Sequence, residues 1–305
     1  MLRKTMLALA DNEFMTRTVT SNRLTRDLAF RFVAGENLDE SLSASHNLLN
    51  AGMMLTLDLL GEKITDPDVA RRSADEYCTI LDRIAETGTN STISVKLTML
   101  GLDISDEFAH DLMIRVLDKA SVHGNFVRID MEGSDYTQRT LDIFYDLHNT
   151  YGDTVGIVLQ SALYRTDRDV DEAIERGAKV RLCKGAYAEP ETRAYPRKAD
   201  VDAAFRRQLE RLLDHGNYPA IATQDDAIID VAKGYAMRMG IDKSRFEFQM
   251  MFGIREELQY ELVRQGYNMR VYVPYGDMWY PYFMRRMGER PANLFFAIRN
   301  IVKPS

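Results

Sequence analysis

Eight short strand-like runs recur along this chain of 305 residues, and longer amphipathic stretches separate them. The runs are GMMLTLDLL (52–60), STISVKLTML (91–100), NFVRIDME (125–132), VGIVLQSAL (155–163), AKVRLCKG (178–185), PAIATQD (219–225), RFEFQMMF (245–252) and MRVYVPYG (269–276). Between them, segments such as DVARRSADEYCTILDRIAETG, DEFAHDLMIRVLDKASVHG and DVDAAFRRQLERLLDHG carry apolar residues three and four apart, the spacing of an amphipathic helix. Gly124 and Gly216 stand where helix C-caps are expected. Strand–helix alternation specifies a parallel sheet. Eight repeats of it specify a closed (βα)8 barrel of the TIM type, which takes about 250 residues. The expected division is a helical segment over 1–45, packed outside the barrel, and a catalytic barrel over 46–305.

Composition narrows the function classes. A formal charge of -7 offers no basic stripe, so no nucleic-acid partner is expected. Two cysteines, Cys78 and Cys183, make no disulfide framework and fit a reducing compartment. No apolar run reaches the length of a membrane span. The opening MLRKTMLALADNEF meets acid at Asp11 and Glu13 and reads as a helix rather than a leader peptide. The 16 methionines read as adaptable core filler.

In such barrels the chemistry sits at the C-terminal ends of the strands. Lys96, Asp130, Gln160, Arg181, Lys184, Gln224, Gln249 and Tyr272 are polar residues inside or just beyond apolar runs. Burying one of them alone is costly; several together predict a cavity. In VRLCKGAY, Arg181 and Lys184 are three apart. One therefore points inward and the other acts from the loop. Gly185 and Ala186 leave room for a flat ligand.

YPYFMRRMGE (280–289) is expected to be a helix after the eighth strand, with Asp277 as its N-cap. Tyr282, Arg285, Arg286 and Glu289 then share one face, opposite Phe283, Met284 and Met287. Two readings are open: an exposed Arg285–Glu289 pair, or two guanidinium forks that grip a carboxylate. The chain contains no GxGxxG, Walker A or GxSxG motif, and its histidines have no metal-ligand spacing. No metal is expected.

ISVKLTMLG, RIDMEG, VLQSALYR, RLCKGAY, ATQDD, EFQMMFG, RVYVPYG and YFMRRMGE follow one another in order, within a likeness that covers roughly residues 45–300. The chain thereby resembles the proline dehydrogenase family, in its short bacterial form without a fused aldehyde dehydrogenase. The resemblance implies a distorted (βα)8 barrel and a non-covalent flavin, usually FAD. It implies oxidation of L-proline to Δ1-pyrroline-5-carboxylate, the first step of proline catabolism to glutamate. Hydride would pass from proline C5 to flavin N5, and electrons onward to a membrane quinone. It further implies a cytoplasmic protein with peripheral contact to the inner face of the membrane, and a separate pyrroline-5-carboxylate dehydrogenase downstream.

By the same resemblance, Lys96, Arg285 and Arg286 would hold the proline carboxylate, and Tyr272 and Tyr282 would wall the ring beside Met251. Asp130 and Glu289 would orient these groups. Gln160, Arg181, Lys184, Gly185, Ala186, Tyr187, Thr223 and Gln224 match flavin positions, with Asp130, Arg286 and Glu289 bordering both ligands. Arg181 resembles the residue placed near flavin N5. Gln224 stands where many members have His, and Ala188 where fused members have Trp. The choice between FAD and FMN therefore stays open. The amine must be neutral to release hydride, and the cations around it would disfavour its ammonium form. The alternatives are a Schiff-base aldolase built on Lys96 or Lys184, a flavoenzyme for hydroxyproline or another cyclic amino acid, and a non-catalytic binding barrel.

Overall fold

Alternation along each strand decides what this fold does with its charges. The computed structural model describes the backbone from residue 23 to residue 289 and the side chains from 26 to 284. Its eight strands are β1 (Met54–Leu59), β2 (Ser91–Val95), β3 (Val127–Ile129), β4 (Val155–Gln160), β5 (Lys179–Cys183), β6 (Ala220–Ala222), β7 (Glu247–Met251) and β8 (Asn268–Tyr275). Each pairs in parallel with the next, and β8 pairs with β1, so the sheet closes as a barrel.

The helices before β1 are α1 (Arg23–Ala29), α2 (Leu38–Ala44) and α3 (His46–Asn50). The crossovers use α4 (Pro67–Thr87), α5 (Asp106–Val122), α6 (Thr137–Tyr151), α7 (Thr166–Glu175), α8 (Lys198–His215), α9 (Asp226–Met239) and α10 (Glu256–Arg264); α11 (Trp279–Glu289) follows β8. Side-chain caps fix several helix starts. Asp66 accepts from Asp68 and Val69 ahead of α4, and Ser105 accepts from Phe108 ahead of α5.

Apolar residues such as Leu57, Val95, Ile129, Ile157 and Val271 join the core between sheet and helices. Their strand neighbours enter the lumen, and these are largely polar. Side-chain hydrogen bonds inside the barrel establish the direction. Arg181 of β5 reaches Ser94 of β2 at 3.1 Å, and Arg270 of β8 reaches Glu247 of β7 and the Leu55 carbonyl of β1, both at 2.8 Å.

The floor of the lumen is therefore ionic. Glu247 accepts two bonds from Arg270, at 2.8 and 3.1 Å. Burial pushes its carboxyl up, but the Arg270 guanidinium outweighs that and holds it below the ordinary glutamate value. Arg128 donates to the carbonyls of Ile157 and Lys179 and lies 4.6 Å over the Phe126 ring. Gly156 makes room for it, because a Cβ there would stand 2.6 Å from the guanidinium.

The structure corrects the expected boundaries. The second run ends as a strand at Val95, and Leu97–Leu100 is a 3-10 turn. Glu132 imposes that turn by accepting from the Thr98 N–H at 3.2 Å and its hydroxyl at 2.7 Å. Asp277 is not the N-cap of the last helix, which begins two residues later at Trp279. Gly124 is left-handed (φ 59°), as a helix terminator should be. Gly216 is extended instead (φ -77°, ψ 157°). It is needed because a Cβ would lie 2.5 Å from the Leu212 carbonyl.

A second core joins α1 to α11: Leu28, Ala29, Val33, Leu60, Trp279, Tyr280, Tyr282, Phe283 and Met284. The chain after α1 docks on the barrel through backbone. Ala34 donates to the Pro274 carbonyl at 2.8 Å, and Gly276 donates to the Gly35 carbonyl at 3.0 Å. Gly253 (φ 70°) passes so close that a Cβ would sit 1.7 Å from the Arg31 carbonyl oxygen. The Trp279 indole N–H donates to Glu36 at 3.1 Å.

Candidate active site

At the C-terminal ends of the strands the lumen opens into a cavity of about 410 Å³, within the range of small-molecule sites. Its wall carries Lys96, Asp130, Tyr272, Met251 and Tyr282, together with Arg181, Lys184, Gly185, Ala186, Tyr187, Thr223 and Gln224. These expected site residues come from six strand ends and from the last helix.

Two ion pairs organise the depth of the site. Lys96 donates to Asp58 Oδ1 at 2.5 Å, and Arg181 donates to Asp130 Oδ1 at 2.8 Å. The Tyr272 hydroxyl donates to the other oxygen of Asp130 at 2.8 Å, and its ring lies 5.3 Å from the Arg181 guanidinium. Burial and then Asp130 push the Tyr272 phenol far above its ordinary value, so it stays protonated as a donor. Burial pulls the Lys96 ammonium down, but Asp58 and Asp130 outweigh that, and Lys96 stays charged. Asp58 is raised by burial, against the pull of Lys96.

The strip after β5 is bare backbone. Gly185 (φ 118°) could carry a Cβ only against Ala162 at 3.1 Å and the Gln160 amide oxygen at 3.4 Å. Gln160 is not on the cavity wall. It stands one layer behind, donating to the Glu132 carbonyl at 2.8 Å and accepting from the Ala186 N–H at 3.4 Å. It braces the strip.

Lys184 acts from the rim, as the three-residue spacing required, while Arg181 points into the barrel. Lys184 donates to Asp202 and Asp225, each at 2.6 Å, and Lys198 bonds both carboxylates as well. Led by its hydrogen bond from Lys184, Asp225 is held down at about 2. Thr223 accepts from the Asp225 N–H at 3.2 Å, and Arg255 holds the Gln224 carbonyl at 2.9 Å.

On α11, Tyr282 is buried and reaches the cavity, with Phe283 and Met284 in the second core. The side chains of Arg285, Arg286, Met287 and Glu289 lie outside the described residues. The helical backbone does run through to Glu289, so positions 282, 285, 286 and 289 share one side of it.

Sequence reasoning missed Asp58 and Glu132, which line the cavity. Asp58 could have been found, as the one charge inside MLTLDLL. Among the described residues no group of histidine, cysteine or carboxylate side chains could hold a metal ion. Both cysteines are free thiols.

Comparison with known proteins follows the same outline. The family model described as "Proline dehydrogenase" matches residues 41–299. The chain is 41% identical over 295 residues to proline dehydrogenase 2 of Bacillus subtilis, covering 95% of this chain and 97% of that protein. It is 41% identical over 282 residues to proline dehydrogenase of Deinococcus radiodurans, covering 91% of each. Among solved structures, proline utilization A of Bdellovibrio bacteriovorus, inactivated by N-propargylglycine, superposes with a TM-score of 0.81 at 27% identity. That match spans 90% of this chain and 33% of the larger protein.

Proposed function

The chain belongs to the proline dehydrogenase family, and from that premise we propose that it oxidises L-proline to Δ1-pyrroline-5-carboxylate in the cavity described above. The observation that carries this reading is the pairing of two buried cations, Lys96 and Arg181, with Tyr272 and Tyr282 around one cavity beside a bare Gly185–Ala186 strip.

The residues present fit a flavin. The strip can lie against a flat ring system, and the Arg181 Nε–H is buried without a partner among the described residues. Such a donor suits an electron-accepting heterocycle. Arg181, Gly185, Ala186, Tyr187, Thr223 and Gln224 would hold the flavin, with Gln160 bracing from behind and Lys184 at the rim. When bound, the flavin supplies the two-electron acceptor for the substrate's hydride. FAD is the form we propose.

The chain's own part is binding and orientation. Lys96 has three N–H donors, and Asp58 takes one. Lys96 also lines the cavity, where its charge suits a carboxylate. Arg285 and Arg286, from the turn of α11 beyond Tyr282, would complete the grip as bidentate forks, oriented by Glu289. Tyr272, Tyr282 and Met251 would wall the five-membered ring and so fix which carbon meets the acceptor. Asp130 holds Arg181 and Tyr272 in place.

Electrons would then pass to a membrane quinone. No helix of the described residues is long and apolar enough to cross a membrane, so contact with one would be peripheral. A separate pyrroline-5-carboxylate dehydrogenase would take the product.

The test is the visible spectrum of the purified protein. Flavin absorbance that bleaches on anaerobic addition of L-proline is the expected result. A colourless protein, or a yellow one indifferent to proline, would refute the reading.

A further inference from the structure

Four carboxylates border the cavity, and three of them are saturated. Asp225, at the rim, accepts from Lys184 and Lys198 at one oxygen and from the Ala227 N–H at the other. Asp130 spends one oxygen on Arg181 and the other on Tyr272. Glu132 spends both on Thr98. Asp58 differs. Its Oδ1 accepts from Lys96 at 2.5 Å, and its Oδ2 is buried with no hydrogen-bond partner among the described residues. The residue is 1% exposed and lines the cavity. An unpartnered carboxylate oxygen at such a depth is costly unless a ligand satisfies it.

We propose that Asp58 is the residue that receives the proton of the substrate's ring amine. The inference rests on the proposed oxidation of proline, and geometry carries it. In an α-amino acid the nitrogen is bonded to the carbon that bears the carboxylate. A substrate whose carboxylate is held by Lys96 therefore brings its nitrogen beside the partner of Lys96, which is Asp58. The N–H bond of the secondary ammonium breaks, its electron pair stays on nitrogen, and an O–H bond forms at Asp58 Oδ2. One cation and one anion become two neutral groups, with no other reactant. The freed lone pair is what departure of hydride from the adjacent carbon requires.

The surroundings favour the transfer. Facing Asp58 are Lys96 just beyond β2, Asp130 just beyond β3, Tyr272 (its hydroxyl bonded to Asp130) and Tyr275 from β8, and Tyr77 from α4. The Lys96 cation repels a second ammonium. Burial, the leading influence on Asp58, raises its affinity for a proton, as an acceptor of this kind needs.

The experiment compares two substrates in wild type, Asp58→Asn and Asp58→Glu. Thiazolidine-4-carboxylate has the shape of proline, but its amine is much less basic and is neutral at assay pH. Asp58→Asn is expected to lower kcat on L-proline by about 100-fold, the range of a lost general base. It should lower kcat far less on the thiazolidine, and Asp58→Glu should restore part of the loss. Equal losses on both substrates, or a kcat on proline near that of wild type, would overturn the assignment. Should Asp58→Asn fail to fold, the wild-type solvent isotope effect decides. An effect on proline that disappears with the thiazolidine supports the transfer, and identical effects overturn it. A wild-type enzyme inert toward proline would instead sink the proposed function itself.

Discussion

Arg181 and Asp130, 51 residues apart in the chain, meet across the lumen at 2.8 Å, and the Tyr272 hydroxyl closes on the free side of the same carboxylate. Both partners of the ion pair are largely buried. Removing one leaves the other charged and dry, which costs far more than the pair itself contributes. Asp130→Asn should therefore lower the unfolding free energy by about 3 kcal/mol. It should also slow proline oxidation, because Arg181 and Tyr272 lose their common anchor. Urea denaturation alongside steady-state kinetics checks both, and a variant as stable and active as wild type contradicts the assignment.

The proposed carboxylate grip makes a different demand. Arg285→Met and Arg286→Met should each raise KM for proline by about 100-fold, as loss of a charge-assisted hydrogen bond implies. Flavin content, read from absorbance, should stay near one per chain. Near-normal kinetics in both variants would remove these residues from the site.

Tyr282 is buried at the cavity wall, and in the proposed substrate site its ring would fill the space that a ring substituent needs. Tyr282→Ser should narrow the preference for proline over 4-hydroxyproline by roughly tenfold, in the range of one pocket contact. The measurement is the ratio of kcat/KM for the two substrates, and an unchanged ratio argues that another residue sets the discrimination.

Asp225 supplies a pH prediction. Its ordinary carboxyl value is 3.8, and Lys184 leads in holding it at about 2 in the folded protein. A depressed folded value means stability that is present above the unfolded value and lost as pH falls through the folded one. Lys184→Met should let Asp225 relax upward. The unfolding free energy should then depend less steeply on pH between 3.8 and about 2, with a loss at neutral pH no larger than about 2 kcal/mol. Parallel slopes in variant and wild type would show that Lys198 alone is enough.

Gly253 tests the docking of the first described segment. Its φ of 70° and a would-be Cβ at 1.7 Å from the Arg31 carbonyl leave no room for a side chain. Gly253→Ala should cost about 1–3 kcal/mol. It should also expose residues 26–36 to limited proteolysis before the barrel unfolds. Equal protection in both proteins would mean that the segment is held elsewhere.

The barrel was legible because its signal is local. Short apolar runs and helical spacings each show within a dozen residues, and eight repeats leave few closed arrangements. The site was legible in part for the same reason. Lys96, Asp130, Arg181 and Tyr272 stand out as polar residues in apolar runs, and the lumen brings them together.

What stayed hidden depends on partners distant in sequence. Nothing near Thr98 announces that Glu132 will end β2 and wind a turn after Lys96. Nothing in VLQSAL tells a wall residue from a brace, and Gln160 is the brace. Arg128, Glu247 and Arg270 look like edge charges along the chain but plug the floor together. Asp277 carries the chemistry of a cap without its place, because the chain makes one more bend before α11 begins.

The tie between Glu36 and Trp279 spans 243 positions. A ribosome adds about 5–20 residues per second. Leu28 and Val33 therefore emerge on the order of tens of seconds before the helix that will cover them. Through that interval the nascent chain carries an uncovered greasy handle. Synthesis rate and chaperone supply then bear, alongside equilibrium stability, on how much of this enzyme reaches its finished form.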